Sequence, residues 1–111
     1  MIDIQEYTDT EGRSPFADWF NDLDAPAAAK VTTALIRLGQ GNFSNAKGVG
    51  GGVLEYRIDF GPGYRVYFGK DGERFVILLA GGTKKRQQRD IEAAQARWED
   101  YKQRKRNRGE K

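Results

Sequence analysis

Two neighbouring segments carry arginine, tyrosine and glutamate at alternating positions. Glu55 and Arg57 alternate with apolar residues in the first segment, and Arg65 and Tyr67 do so in the second. Arginine binds phosphate through paired hydrogen bonds and tyrosine stacks on nucleobases, so this set suits a nucleic-acid ligand. The exposed face of an antiparallel sheet is polar in any case, so no single one of these residues indicates a binding site. The four residues together favour a phosphate-binding surface.

A cluster of bases follows shortly after these segments and consists of Lys84, Lys85, Arg86 and Arg89. We expect a helix to begin here, and cations at a helix N-terminus oppose its dipole, each by about a few tenths of a kcal/mol or more. Basic residues could simply solubilise the helix start. A cluster held against its local preference instead favours an anionic ligand or partner.

The chain of 111 residues contains no histidine and no cysteine. A serine or cysteine nucleophile would therefore lack its histidine base, and the acidic residues are too scattered to predict a metal site. We expect no cofactor and no metal. RNA cleavage remains open because the 2′-hydroxyl of the substrate is itself the nucleophile. The protein then needs only positioning, proton transfer and cations for the phosphate.

The net charge of +3 is unevenly distributed. Residues 1–24 hold seven acids against one base, a net of −6, and residues 84–111 hold eleven bases against five acids, a net of +6. The basic end predicts either a surface for an acidic ligand, which could be nucleic acid or an acidic protein, or a solvated helix with a disordered basic tail. No apolar run approaches the roughly 18 residues of a membrane span and no signal peptide is recognisable, so we expect a cytoplasmic protein without membrane contact. One domain is expected over 1–104, with a basic, disordered tail at 105–111.

The pattern predicts an α+β fold of order β-α-α-β-β-β-α, with a mostly antiparallel sheet. A strand is expected at 2–7. A helix starting at Ser14-Pro15 and a second from about 25 to 38, which Asp24 can cap, should form a hairpin on one sheet face. The Gly-rich stretch 39–52 is expected to be a mobile loop.

Three strands should follow as a meander. The first two are joined by a turn at 61–63, and the third runs from 75 to 80 after a tight turn at Asp71-Gly72. Pairing Ile58 with Val66 would place Arg57 opposite Tyr67 and Asp59 opposite Arg65. A glycine pair should end the third strand, and a long helix should run from about 83 to 104. The apolar stripe of that helix is expected to dock on the sheet of the same chain and comprises Ile91, Ala94, Trp98 and Tyr101.

Several motifs together resemble a known family. They are Glu55-x-Arg57-Ile58, Gly61-Pro-Gly-Tyr-Arg-Val-Tyr67, Leu78-Leu-x-Gly-Gly82, Lys84 and Gln88-x-Asp90-Ile91. Over about residues 1–98 the chain is similar to the "addiction module killer protein" branch of the RelE/ParE toxin superfamily, and is HigB-like in character. The resemblance implies the toxin of a type II toxin–antitoxin system. Its partner would be a cognate antitoxin, of helix-turn-helix type.

RelE- and HigB-like members cleave mRNA, usually on the translating ribosome, whereas ParE-like members inhibit DNA gyrase without nuclease activity. The resemblance therefore implies a metal-independent endoribonuclease (an mRNA interferase) that inhibits translation, with a gyrase inhibitor as the alternative. It places Arg57, Arg65 and Lys84 on the phosphate. The family's proton-transfer Tyr or His near the chain end has no counterpart here, so Tyr67 or Glu55 would have to substitute. The cations expected to bind RNA are Lys85, Arg86 and Arg89.

Overall fold

The first strand is followed by two helices, four further strands and a long last helix. The computed structural model describes residues 1–109. The elements are β1 (Asp3–Glu6), α1 (Pro15–Asn21), α2 (Ala25–Gly39), β2 (Ala46–Gly50), β3 (Val53–Ile58), β4 (Tyr64–Asp71), β5 (Phe75–Thr83), a 3₁₀ turn (Lys84–Arg86) and α3 (Gln87–Asn107). None of the helices within residues 1–109 has the length and apolar character needed to span a membrane.

Both N-terminal helices begin at a side-chain cap, as the sequence predicted. The hydroxyl of Ser14 accepts a hydrogen bond of 3.0 Å from the backbone of Ala17, and the carboxylate of Asp24 accepts one of 2.9 Å from Ala27. Each cap satisfies a backbone N–H that has no partner inside the helix, which fixes where α1 and α2 start.

The five strands form one mixed sheet in the order β1-β5-β4-β3-β2. β1 pairs in parallel with β5, at the edge of the predicted meander, and the other three pairings are antiparallel. The predicted α+β class is confirmed, but the predicted element order lacked β2. This strand lies in the stretch expected to be a mobile loop. Its glycines hide the alternation by which a strand is recognised, and its pairing with β3 shifts register between Gly48 and Gly50.

Helices cover both faces of the sheet. On one face, α1 and α2 pack on the strands through a buried core that includes Phe16, Val31, Leu38, Tyr56, Val66 and Phe68. On the other face, α3 packs through Ile91, Ala94 and Trp98 against residues that include Val53, Tyr67, Ile77 and Leu79. The predicted docking of the α3 stripe on the chain's own sheet is therefore confirmed.

The strand β5 continues through Gly81 and Gly82 to Thr83, so the prediction that the glycine pair ends the strand is wrong. These glycines instead allow close approach from both sides of the sheet. A Cβ atom at Gly81 would overlap the ring of Trp19, and one at Gly82 would overlap the carboxylate of Asp90. The pair thus seats an aromatic ring on one face and the first turn of α3 on the other.

The C-terminal helix reaches Asn107, which is three residues further than predicted. Residues 105–107, expected to belong to a disordered tail, are therefore helical, and Lys105 donates hydrogen bonds of 2.6 Å to both carboxylate oxygens of Asp71. Residues 110 and 111 of the predicted tail lie outside the described residues. Near the same end, Tyr7 donates a hydrogen bond of 2.6 Å to Asp100, which ties the first strand to the last helix.

Candidate functional site

The polar face predicted on the first two meander strands lies under α3 rather than in solvent. Glu55 and Tyr67 are fully buried and Arg65 is 4% exposed, whereas Arg57 remains exposed. Alternation along the strands shows that these residues share a face, but it does not show whether a helix covers it. The expectation of an exposed polar sheet face is therefore wrong for all but Arg57.

The register of the β3–β4 hairpin differs from the prediction by two residues. Ile58 pairs with Tyr64, so that Arg57 lies opposite Arg65 and Glu55 opposite Tyr67. The turn at 61–63 leaves Asp59 outside the ladder, and the predicted cross-strand pair between Asp59 and Arg65 does not form. A shift of two residues keeps every side chain on its face, which is why the shared face was predicted correctly and the partners were not.

Three cations line one cleft at this end of the sheet. Arg57, Arg65 and Lys84 border a cavity of about 380 Å³, together with Ile58, Asp59, Gly63 and Tyr64. Arg57 and Arg65 arrive from neighbouring strands, and Lys84 from the 3₁₀ turn that follows β5. The structure thus brings together the three residues on which the sequence placed a phosphate. It does not bring Lys85, Arg86 or Arg89 into the lining of this cleft.

One carbonyl oxygen fixes two walls of the cleft. The oxygen of Gly63 accepts a hydrogen bond of 3.0 Å from the guanidinium Nη1 of Arg65 and another of 3.0 Å from the backbone N–H of Lys84. Gly63 has a φ of 80°, a conformation that glycine adopts without a steric penalty. The turn between β3 and β4 is in this way tied to the start of the C-terminal helical segment, and the cations on both are held together.

A buried carboxylate lies behind the arginines. The Oε2 of Glu55 is 3.5 Å from Nε of Arg65 and its Oε1 is 3.7 Å from Nε of Arg57. Both distances exceed those of hydrogen bonds, but Gln87 donates one of 2.7 Å to Oε2. An unpaired carboxylate would be costly in this position, so the arrangement pairs it with cations from both strands. Glu55 can orient the arginines, but it does not line the cleft.

Tyr67 is poorly placed for contact with a ligand. Its hydroxyl is buried close to the carboxylate of Glu55, but within residues 1–109 it makes no hydrogen bond of standard geometry. Burial, with the nearby carboxylate of Glu55 adding to it, raises the pKa of Tyr67 well above its ordinary value. A phenol that is enclosed in this way holds its proton firmly and does not reach the cleft.

The basic cluster at the start of the C-terminal helical segment is exposed. Lys84, Lys85 and Arg86 form the 3₁₀ turn, which begins without a side-chain cap, and Arg89 lies in the first turn of α3. Asp90 is the acidic residue of that turn. Its burial raises its pKa, although the nearby guanidinium of Arg86 opposes this shift. The exposed cations extend the positive surface from Lys84 along the outside of the molecule.

Asp59 was missed as a residue of this site, because its position suggested only an ion pair. Its carboxylate is exposed and lines the cleft. The available signal was its place directly before the Gly61-Pro-Gly63 turn, which carries it beyond the last ladder pair. Within residues 1–109 no group of three or more carboxylates could hold a metal ion.

Comparison with known proteins assigns the chain to a family. Residues 18–99 match the model of the family described as "Phage derived protein Gp49-like (DUF891)". The chain is also 44% identical, over 80 residues, to an uncharacterized protein of Haemophilus influenzae strain Rd, an alignment that covers 71% of this chain and 81% of that protein. The matched segment contains the cleft cations and most of α3. This chain belongs to the Gp49-like family, a phage-derived, toxin-like family of addiction module killer proteins.

Proposed function

We propose that the chain is the toxin of a type II toxin–antitoxin system and a metal-independent endoribonuclease that cleaves mRNA, in association with the ribosome. Membership of a toxin-like family supports the first part. The observation that carries the second is the cleft in which Arg57, Arg65 and Lys84 meet. A cavity of this size bordered by three cations suits a single phosphodiester group and its two flanking riboses.

The reaction would use the 2′-hydroxyl of the RNA as nucleophile on the adjacent phosphorus. Negative charge then accumulates on the non-bridging oxygens, and fixed cations stabilise that charge more than the charge of the ground state. Arg57 and Arg65 can each donate paired hydrogen bonds to these oxygens, and Lys84 contributes a compact positive charge. Lys85, Arg86 and Arg89 would hold the flanking RNA backbone outside the cleft.

The buried residues take supporting roles in this proposal. Glu55 holds the side chains of Arg57 and Arg65 from behind, so that both are oriented before the substrate arrives. Orientation in advance lowers the entropy that binding must remove. Proton transfer by Glu55 or Tyr67, as first predicted, would require α3 to move away from the sheet.

The test compares single alanine substitutions of cleft and distant arginines. Arg57 is the better choice, because its side chain is 53% exposed and its removal should leave the fold intact, whereas removing Arg65 would leave Glu55 buried without its nearest cation. Arg74 is an exposed arginine in the turn before β5 and serves as the matched control. After induction in cells, new RNA 5′ ends are mapped by sequencing.

We expect Arg57→Ala to lower RNA cleavage about 100-fold or more, as loss of one transition-state donor does in other enzymes. Arg74→Ala should cleave like the wild type. Full cleavage by Arg57→Ala would refute the role of the cleft. DNA breaks in place of RNA cleavage on induction would establish the gyrase-inhibitor alternative instead.

The expected partner is a cognate antitoxin, which the family membership suggests. An acidic segment of that partner could cover the exposed cations beside the cleft and so exclude RNA. We propose this surface as its binding site because both ligands would be negatively charged.

A further inference from the structure

A carboxylate faces the same cleft as the three cations. Asp59 follows β3 directly, is exposed, and makes no hydrogen bond or ion pair with any other residue in the range 1–109. The proposed reaction needs a group that accepts the proton of the 2′-hydroxyl. Glu55 and Tyr67 are enclosed beneath α3, which leaves Asp59 as the carboxylate in the lining of this cleft.

The turn beside Asp59 does not depend on its side chain. Phe60 donates a backbone hydrogen bond of 3.0 Å to Ile58, and Gly63 donates one of 3.0 Å to Phe60. An aspartate before a turn commonly serves by bonding to the backbone two residues on, but no such bond forms here. Arg65 is also engaged elsewhere, with Gly63 and Glu55. The carboxylate of Asp59 therefore makes no contact in the described part of the chain that would explain it as a residue that stabilises the fold.

Asp59 also lies where three concave surfaces meet. Besides the main cleft, a cavity of about 270 Å³ extends toward α2 and one of about 390 Å³ extends toward β2. Arg57 and Asp59 border all three. A strand of RNA that occupies any two of these cavities would therefore lie beside both an arginine and a carboxylate.

We infer that Asp59 is the general base of the proposed RNA cleavage. The carboxylate of Asp59 takes the proton from the 2′-hydroxyl while the 2′-oxygen bonds to phosphorus. The bond from phosphorus to the 5′-oxygen breaks, and that oxygen takes a proton from water in the open cleft. The products are a 2′,3′-cyclic phosphate and a 5′-hydroxyl, and Asp59 then returns its proton to solvent. This assignment rests on the proposed function.

The charged groups that border the three cavities around Asp59 are all cationic and come from five parts of the fold. They are Lys30 and Arg37 on α2, Lys47 on β2, Arg57 on β3, Arg65 on β4, and Lys84. The cations attract the phosphate, and none of them can accept a proton while charged. A carboxylate among them is the arrangement expected for a base that acts beside an anionic substrate.

The test is the single-turnover cleavage of a synthetic mRNA on programmed ribosomes by the purified full chain. Asp59→Asn keeps the size of the side chain but removes its basicity. We expect the cleavage rate to fall about 100-fold or more, in line with the usual contribution of a general base, while binding of the RNA does not weaken, because the variant removes a negative charge. Asp59→Glu should restore part of the rate. The matched control is Asp18→Asn, an exposed aspartate on α1.

A pH series separates proton transfer from positioning. The wild-type rate should depend on pH, because a general base acts only when it is unprotonated, and the Asp59→Asn rate should lose this dependence. An Asp59→Asn variant that cleaves as fast as the wild type, or that shows the same pH dependence, would overturn this assignment but not the proposed function. If the wild-type chain itself does not cleave RNA, the proposed function fails and the assignment fails with it.

Discussion

Adding one methyl group at Gly69 should destabilise the fold through a single aromatic ring. A Cβ atom on this glycine of β4 would lie 2.5 Å from Cε3 and Cζ3 of Trp98. Carbon atoms in contact stay about 3.5–4.0 Å apart, so the ring must move by about 1 Å or more. Trp98 has little room to move, because it is 6% exposed and its ring stacks on that of Tyr101, with 5.2 Å between the ring centroids.

The expected cost of Gly69→Ala is about 1–3 kcal/mol, as for other added groups in packed cores. For a domain near 100 residues this corresponds to a fall in Tm of roughly 5–20 °C. Thermal unfolding followed by circular dichroism measures it. Gly48→Ala is the matched control, since Gly48 also lies in a strand but nothing stands within 4 Å of its added carbon.

The reasoning also predicts coupling between the glycine and the ring. In the background of Trp98→Leu, which is itself destabilised, Gly69→Ala should cost much less than in the wild type. A Gly69→Ala chain that melts within about 2 °C of the wild type would refute the argument, as would an equal loss in both backgrounds.

Three further predictions concern charge and protonation. Burial disfavours the ionised form of Asp71, but the hydrogen bonds from Lys105 and Tyr101 and the charge of Lys105 together outweigh it and hold the pKa of Asp71 below its ordinary value. A lowered pKa stabilises the fold above the unfolded-state value near 4, so the stability advantage over Asp71→Asn should shrink as pH falls below about 4 in chemical denaturation. Tyr67→Phe should cleave RNA like the wild type. Its free energy of unfolding should not fall and could rise by up to about 1 kcal/mol, because the change removes a buried hydroxyl that makes no hydrogen bond of standard geometry within residues 1–109. A large loss of cleavage with intact RNA binding would instead identify Tyr67 as the proton carrier. Affinity for the antitoxin should fall as salt rises and should weaken in Lys85→Ala/Arg86→Ala; salt-independent affinity would place that interface on an apolar surface.

Elements set by local chemistry could be predicted from the sequence. The caps at Ser14 and Asp24 and the turn at Gly72 each depend on a few adjacent residues. The docked face of α3 could be predicted because its apolar residues are spaced three or four positions apart. The grouping of Arg57, Arg65 and Lys84 was implied by the resemblance, and the three residues do border one cleft, although the predicted register and strand end were wrong.

Features that depend on distant parts of the chain could not be predicted in this way. The burial of Glu55 and Arg65 depends on where α3 lies, and the alternation of residues along β3 and β4 does not show that. The register of the β3–β4 hairpin differs from the prediction because the turn is two residues longer than expected. The cross-strand partner of Arg57 is therefore Arg65 rather than Tyr67. The role assigned to Asp59 needed the turn geometry, because sequence spacing alone suggested only an ion pair.

The hydrogen bond between Tyr7 and Asp100 joins residues 93 positions apart, and within residues 1–109 the strand that β1 pairs with is β5. At a synthesis rate of about 5–20 residues per second, Asp100 is therefore added to the chain roughly 5–20 s after Tyr7. Until β5 has been made, the parallel edge of the sheet is open, and until α3 has been made, the face that carries Glu55 is uncovered. The cleft becomes complete only after Lys84 has left the ribosome, so the growing chain cannot carry out the proposed activity until most of it has been translated.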